Sequence, residues 1–305
     1  VSDKADKVNA IKIAKQLFEQ ERFKIFDGIV HVYDGIAYRD SLDQEEFRKY
    51  IYNAAYKEIE DSGNPDIVQK VIKALEYRQD IPEEKRSSTL IAFNDWDYDF
   101  VSGRTLPHSP ENNTVARLNL FFRDRAFGTR KFDNHLANLW NSREMTARAY
   151  EVIGFLLAPG IAERKFVFMS GPAGTGKSSL ALFIQSFFPT NALSATPVDE
   201  FGRKFYAATF LGKQLNIEGD FPNHVLSPTA VVQLKQLTGG DEMFVERKYK
   251  NPIRTRLFVK LLMCSNYPIK IAEDDSAFRE RILALPITKQ LKNYERNYDF
   301  YDQFR

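Results

Sequence analysis

The spacing of apolar positions divides the chain into three textures. Over residues 1–90 they recur mainly at helical intervals. Leu42, Phe47, Tyr50, Ile51, Ala54 and Ala55 mark one amphipathic helix, and residues 67–77 mark another, both after a first helix near the start. Between the first helix and these two, residues 29–38 alternate in β fashion around Asp34-Gly35, a hairpin signal. Residues 91–120 read as strand and loop, punctuated by Ser102-Gly103, Pro107 and Pro110. A continuous helical stretch is expected over 133–157, ending at Pro159-Gly160. From residue 161 short apolar strands alternate with helices. Strands are expected at 166–169, 215–217, 257–264 (interrupted by Lys260) and 282–287, and a helix at 178–188. That alternation predicts a doubly wound α/β core with a parallel sheet, preceded by a mainly helical region.

Composition narrows the classes of function without choosing one. The chain has 305 residues, 43% hydrophobic and 28% charged, which suits a globular protein with a sizeable core. A net charge of +2 is nearly neutral, so a nucleic-acid surface would have to be a local patch. Cys264 is the single cysteine and lies in an apolar run, so no disulfide forms within the chain and a reducing, cytoplasmic compartment is expected (the host cytoplasm if the protein is viral). The histidines are scattered and show no zinc-ligand spacing. No apolar stretch reaches bilayer-spanning length, and no membrane partner is expected. The first residue is Val1, which suggests a piece of a longer protein.

The sharpest chemical signal is Gly171-Pro172-Ala173-Gly174-Thr175-Gly176-Lys177-Ser178, with Ser179 following. It fits the phosphate-binding loop G-x-x-x-x-G-K-[ST], with an apolar strand before it and a helix after it. Glycines there let backbone N–H groups converge on phosphate oxygens, and the helix N-terminus adds positive potential. Lys177 is expected on the β- and γ-phosphates of ATP, and the Ser178 hydroxyl on Mg²⁺. The acids Glu218 and Asp220 follow the next apolar strand, where a carboxylate holds the metal and polarises the attacking water. Asn266 ends the 257–264 run and offers an amide to the γ-phosphate or to water. Arg247, Lys248, Lys250, Arg254, Arg256 and Lys260 lie close together with no acid between them, and Tyr249 sits among them. Two β arms around such a tip suit the backbone of single-stranded DNA, with Arg247, Lys248, Tyr249 and Lys250 in contact. Arg279 and Arg281 precede the last strand, in position to reach a neighbouring subunit's nucleotide.

Taken together, these residues resemble the superfamily-3 helicases, P-loop AAA+ ATPases, and in particular the helicase part of phage, plasmid and poxvirus primase-helicases, including the primase-polymerases of deep-sea vent viruses. The segment 212–220 is similar to the family's Walker B region, with Asp220 at its catalytic acid. Segment 234–241 is similar to the stretch before its DNA-binding hairpin, Cys264-Ser265-Asn266 to its sensor, and Glu280-Arg281-Ile282 to its arginine-finger segment. Residues 94–118 are similar to the domain that precedes these helicases, and the likeness spans roughly 25–290. It departs from the family pattern at Thr175, where many members have Asn, at Gly219, and at Asp220, where Glu is usual. The resemblance implies an N-terminal region over 1–130, a helical collar over 131–160 and an AAA+ motor over 161–305. It also implies ATP and Mg²⁺ as cofactors, single-stranded or forked DNA as a partner, a ring homo-oligomer (a hexamer in the family), and a primase or primase-polymerase upstream. An ATP-switched initiator or loader shares all these motifs. A small-molecule P-loop kinase shares the loop, but the basic stretch argues against it.

Overall fold

The computed structural model describes residues 2–19, 23–40, 44–62, 66–77, 81, 83–123, 130–140, 142–160, 163–248, 250–290 and 300. The chain forms two compact units, Val1–Arg117 and Leu118–Arg305. The first opens with helix α1 (Ser2–Glu19), which buries Ala10, Ile13, Ala14 and Leu17 at helical spacing. A three-stranded antiparallel sheet follows: β1 (Phe23–Phe26), β2 (Ile29–Tyr33) and β3 (Tyr38–Asp40). The turn signal at Asp34-Gly35 does join two strands. Asp34 closes the loop by accepting from the N–H groups of Ile36 and Ala37, each at 2.9 Å. The sequence reading missed β1, whose turn to β2 uses Asp27 and Gly28 at φ +52° and +75°. Helices α2 (Gln44–Ala54), α3 (Tyr56–Ser62) and α4 (Ile67–Glu76) supply Phe47, Ile51, Ile59, Ile67, Val71, Ile72 and Leu75 to one core with Phe23, Val30 and Val32. Strands β4 (Leu90–Ala92), β5 (Asp97–Asp99) and β6 (Arg104–Leu106) form a second small sheet.

The second unit begins with α5 (Arg130–Trp140) and α6 (Arg143–Leu157). The helix expected over 133–157 is therefore two. Ser142 is extended at φ −145° and its hydroxyl accepts from Met145 N–H at 3.3 Å, so it caps α6 rather than continuing α5. The chain continues through β7 (Phe166–Ser170), α7 (Lys177–Gln185), β8 (Leu193–Ser194), β9 (Leu215–Glu218), β10 (Val225–Leu226), α8 (Pro228–Gly239), β11 (Glu242–Arg247), β12 (Lys250–Arg256), β13 (Lys260–Ser265), β14 (Lys270–Ile271), α9 (Ser276–Arg279) and β15 (Ile282–Pro286). Five of these strands form a parallel sheet in the order β15-β7-β13-β9-β8. β13 is buried along its whole length, as a central strand of a parallel sheet requires. Helix α6 packs on β13 and β15, and α7 on β13 and β9. This is the α/β parallel-sheet core, preceded in the chain by a mainly helical region, that the sequence predicts.

Lys260 overturns part of the sequence reading. It does not interrupt a strand but begins β13, its backbone N–H donating to Gln214 O at 2.8 Å. Its side chain is buried, with the ammonium 3.7 Å from the centre of the Phe155 ring on α6. Burial pushes its pKa down to about 8, with Glu163 acting in the opposite sense. Lys260 therefore adds nothing to a surface basic patch.

Candidate functional site

The phosphate-binding loop connects β7 to α7 at the carboxyl end of the parallel sheet. Gly171 has φ +150°, and a Cβ there would lie 1.9 Å from Ile287 O, so only glycine lets the two backbones approach this closely. Gly176, at φ +89°, turns the chain into α7, and its carbonyl accepts from Leu180 N–H at 3.0 Å. Lys177 is buried at the first helical position. Its ammonium donates to Gly171 O at 2.6 Å, Pro172 O at 2.8 Å and Asn266 Oδ1 at 3.1 Å. Burial lowers its pKa below the usual lysine value, with Cys264 acting in the opposite sense. The Thr175 hydroxyl donates to Pro172 O at 3.1 Å, so Thr175 braces the loop from inside. A cavity of about 400 Å³ opens over the loop, lined by residues 173–179 with Gly219, Asp220, Ser265 and Asn266.

Three strand ends thus meet at one cavity. Sheet order explains why: β13 lies between β7 and β9, so Asn266, just past β13, falls between the phosphate loop and Asp220, just past β9. Ser178 and Ser179 face the same space, and Ser178 and Asp220 offer it a hydroxyl and a carboxylate. Gly171 and Pro172 do not line the cavity, and their carbonyls are held by Lys177.

The two candidate acids separate. Glu218 is still within β9, opposite Met263 of β13, and is buried. Both its carboxylate oxygens accept from Val198 N–H at 3.1 Å. Asp220 lies beyond the strand and is exposed to the cavity. Burial pushes the Glu218 pKa up to about 7; the Val198 N–H opposes this, and Asp199 and Asp220 add to it. Asn216, two residues earlier, went unnoticed in the sequence. It accepts from Thr196 N–H at 2.7 Å and the Ser194 hydroxyl at 2.9 Å, and donates to Thr196 O at 3.1 Å. Asn216 and Glu218 together tie residues 194–198 to β9. A polar pair alternating with Leu215 and Ile217 was the available signal.

A raised carboxyl pKa has a defined consequence for stability. Between its ordinary value of 4.5 and about 7, the unfolded chain has released a proton that the folded chain keeps. Glu218's contribution is therefore complete below about 4.5 and is lost as pH rises through about 7. The effect is on the order of 3 kcal/mol. Melting temperature followed across this range should show that decline, and Glu218→Gln, whose amide oxygen can still accept from Val198, should remove it. An identical pH slope in the variant would contradict the assignment.

The arginines and the basic hairpin lie outside the cavity lining. Arg281 precedes β15 and donates to the Thr238 hydroxyl near the end of α8 at 3.5 Å, while its buried Nε has no partner among the described residues. Arg279 is more outward, with a side chain 60% exposed and paired to Asp274. β11 and β12 form the expected antiparallel hairpin, with an irregularity between Val245 and Arg247. Arg247 donates twice to Asn251 O, at 3.0 and 2.8 Å, so its guanidinium closes the turn. Arg254 pairs with Glu242 on the opposite arm at 2.8 Å, an acid outside the stretch that suggested the patch. Lys248 is exposed at the tip. Tyr249 and the side chain of Lys250 lie outside the described residues. No helix among the described residues is long and apolar enough to cross a membrane.

Comparison with known proteins agrees with this geometry at the level of fold. The family model for DUF5906, a family of unknown function, matches residues 169–281, from the end of β7 to Arg281. A solved A-form apo structure of the NrS-1 C-terminal region aligns over 95% of this chain at 12% identity and a TM-score of 0.53, and covers 64% of that chain. A second A-form apo structure of that region aligns over 97% of this chain at 14% identity and a TM-score of 0.54, and covers 66% of that chain. The chain thus spans a little less than two thirds of the NrS-1 structures it resembles. At these identities the likeness is one of fold: a parallel-sheet core preceded in the chain by a mainly helical region.

Proposed function

We propose that the chain is the ATP-driven motor of a DNA helicase from a phage or mobile-element replication protein. One observation carries the reading: the phosphate loop, Ser178, Asp220 and Asn266, brought from three strand ends, line a single cavity. Backbone N–H groups and the α7 N-terminus suit the phosphates of ATP. Lys177 would leave its loop carbonyls for a phosphate oxygen, and Asn266, already its partner, would hold it or the attacking water. The oxygen ligands Ser178 and Asp220 fit a hard cation. Mg²⁺ is such a cation, and it takes one or two protein ligands plus phosphates. When bound, Mg²⁺ would neutralise charge on the transferring phosphoryl group.

In this reading the site is completed in a ring, with Arg279 or Arg281 of one subunit acting on its neighbour's nucleotide, and a hexamer is the family's arrangement. Arg281, in the segment similar to the family's arginine finger, is the first candidate, and it would have to leave Thr238 as Arg279 would have to leave Asp274. The β11–β12 hairpin would follow single-stranded DNA through Lys248, Tyr249 and Lys250. A primase or primase-polymerase upstream and a cytoplasmic setting belong to the same proposal.

The direct test is ATP hydrolysis with and without single-stranded DNA, together with the mass of the assembly. Stimulation by DNA in a ring supports a motor. Slow, DNA-independent turnover with tight DNA binding would favour an initiator or loader. Lys248→Ala is expected to weaken DNA binding and to flatten its dependence on salt by about 0.7 in log–log slope for each phosphate that Lys248 neutralises. An unchanged affinity with the original slope would remove Lys248 from the DNA path.

A further inference from the structure

The segment that follows β15 touches the phosphate loop at successive points. Ile287 N–H donates to Ser170 O at 2.7 Å. Ile287 O occupies the space that a side chain at Gly171 would need. The Gln290 side-chain amide donates to Ala173 O at 3.1 Å. The start of the segment is itself anchored: the indole N–H of Trp140, at the end of α5, donates to Pro286 O, and Ile287 is fully buried.

The first three loop carbonyls therefore have different kinds of partner. Those of Gly171 and Pro172 are held from inside by Lys177, and that of Pro172 also by Thr175. That of Ala173, which lines the cavity, is held by Gln290, which does not. A phosphate oxygen competes for Lys177, so the inner hold loosens when nucleotide enters. Gln290 has no such competitor, because it is not among the residues that line the cavity. In a trans peptide C=O and N–H point in opposite directions, and no cis bond occurs among the described residues. A donor that grips Ala173 O without lining the cavity therefore turns the Gly174 N–H the other way, and Gly174 lines the cavity.

We propose that residues 286–290 are an outer brace of the phosphate loop and that Gln290 is a positioning residue, which keeps the N–H of Gly174 aimed at nucleotide phosphate while Lys177 changes partners. The inference rests on the nucleotide-site reading above. Gln290 touches neither the reacting atoms nor the metal ligands. Its effect is on pre-organisation, so it belongs in binding rather than in the chemical step.

The experiment measures binding of a non-hydrolysable ATP analogue and steady-state ATPase on the full chain, its Gln290→Leu and Gln290→Glu variants, and Lys177→Ala. Leucine has similar bulk and glutamate the same reach, but at neutral pH neither donates a hydrogen bond. Both are expected to raise the analogue's Kd and the KM for ATP about fivefold, the effect of losing about 1 kcal/mol of hydrogen bonding. Their kcat should stay within about twofold and their melting temperature without nucleotide should not move. A Kd within twofold of the unmodified chain in both variants overturns the brace. So does a fall in kcat that matches the loss in kcat/KM, or a lowered melting temperature, since either would make Gln290 an ordinary structural contact. Failure of the unmodified chain to bind the analogue would instead remove the nucleotide-site reading itself, which separates the two.

Discussion

Lys177→Ala is expected to reduce ATP hydrolysis by at least about a hundredfold while leaving the second unit folded. Among the described residues that line the cavity, Lys177 carries the one side-chain cation, and charge on the transferring phosphoryl group grows on the way to the transition state. Removing it withdraws that stabilisation at a buried position, where charge is less screened than in bulk water. The change also strips Gly171 O and Pro172 O of a buried donor, although Thr175 keeps its bond to Pro172 O. A fall in melting temperature of a few degrees should accompany the loss, in line with about 1–2 kcal/mol for an unmet carbonyl. Turnover near that of the unmodified chain, in protein shown to be folded, would mean that the loop does not serve a transferring phosphate.

Asp220→Asn is expected to cost about a hundredfold in hydrolysis and Glu218→Gln less than about tenfold. The difference comes from where the carboxylates point. Asp220 lines the same cavity as Ser178, where a carboxylate can hold the metal or draw a proton from water. Glu218 is committed to Val198 N–H, and glutamine can preserve much of that contact. Measuring kcat for both variants at saturating ATP ranks them. The reverse order would place the catalytic acid within β9 and would mean that Glu218 leaves Val198 during turnover.

The local features were legible because they are set by neighbouring residues. A strand ending in Gly171-Pro172-Ala173-Gly174-Thr175-Gly176-Lys177-Ser178 can hardly do otherwise than turn into a helix, and it does so at Lys177. The hairpin arms around residue 249 could be read from alternation and turn residues in the same way. Helix α8 and the two-residue strands β8, β10 and β14 were not recognised, and elements as short as the latter carry too few residues for any period to show.

Charge and polarity were read less well wherever their meaning depended on distant partners. Lys260 counted as a surface cation in the sequence, but sheet order places it beneath α6 against Phe155. Arg254 stood among cations, but the antiparallel register brings Glu242 across to it. Glu218 and Asp220 have the same parity and would share a face in a longer strand, yet β9 ends between them and they face different surroundings. Gln290 carried no signal at all, since only the return of the chain past β7 brings it to Ala173.

From the order of residues alone come the phosphate loop, the parallel α/β class and the list of groups able to meet a nucleotide, because backbone conformation and apolar period depend on residues a few places apart. Which of those groups face one cavity was decided by the strand order β15-β7-β13-β9-β8 and its register. Those contacts join residues up to 116 positions apart, and no local pattern encodes a partner so far along the chain.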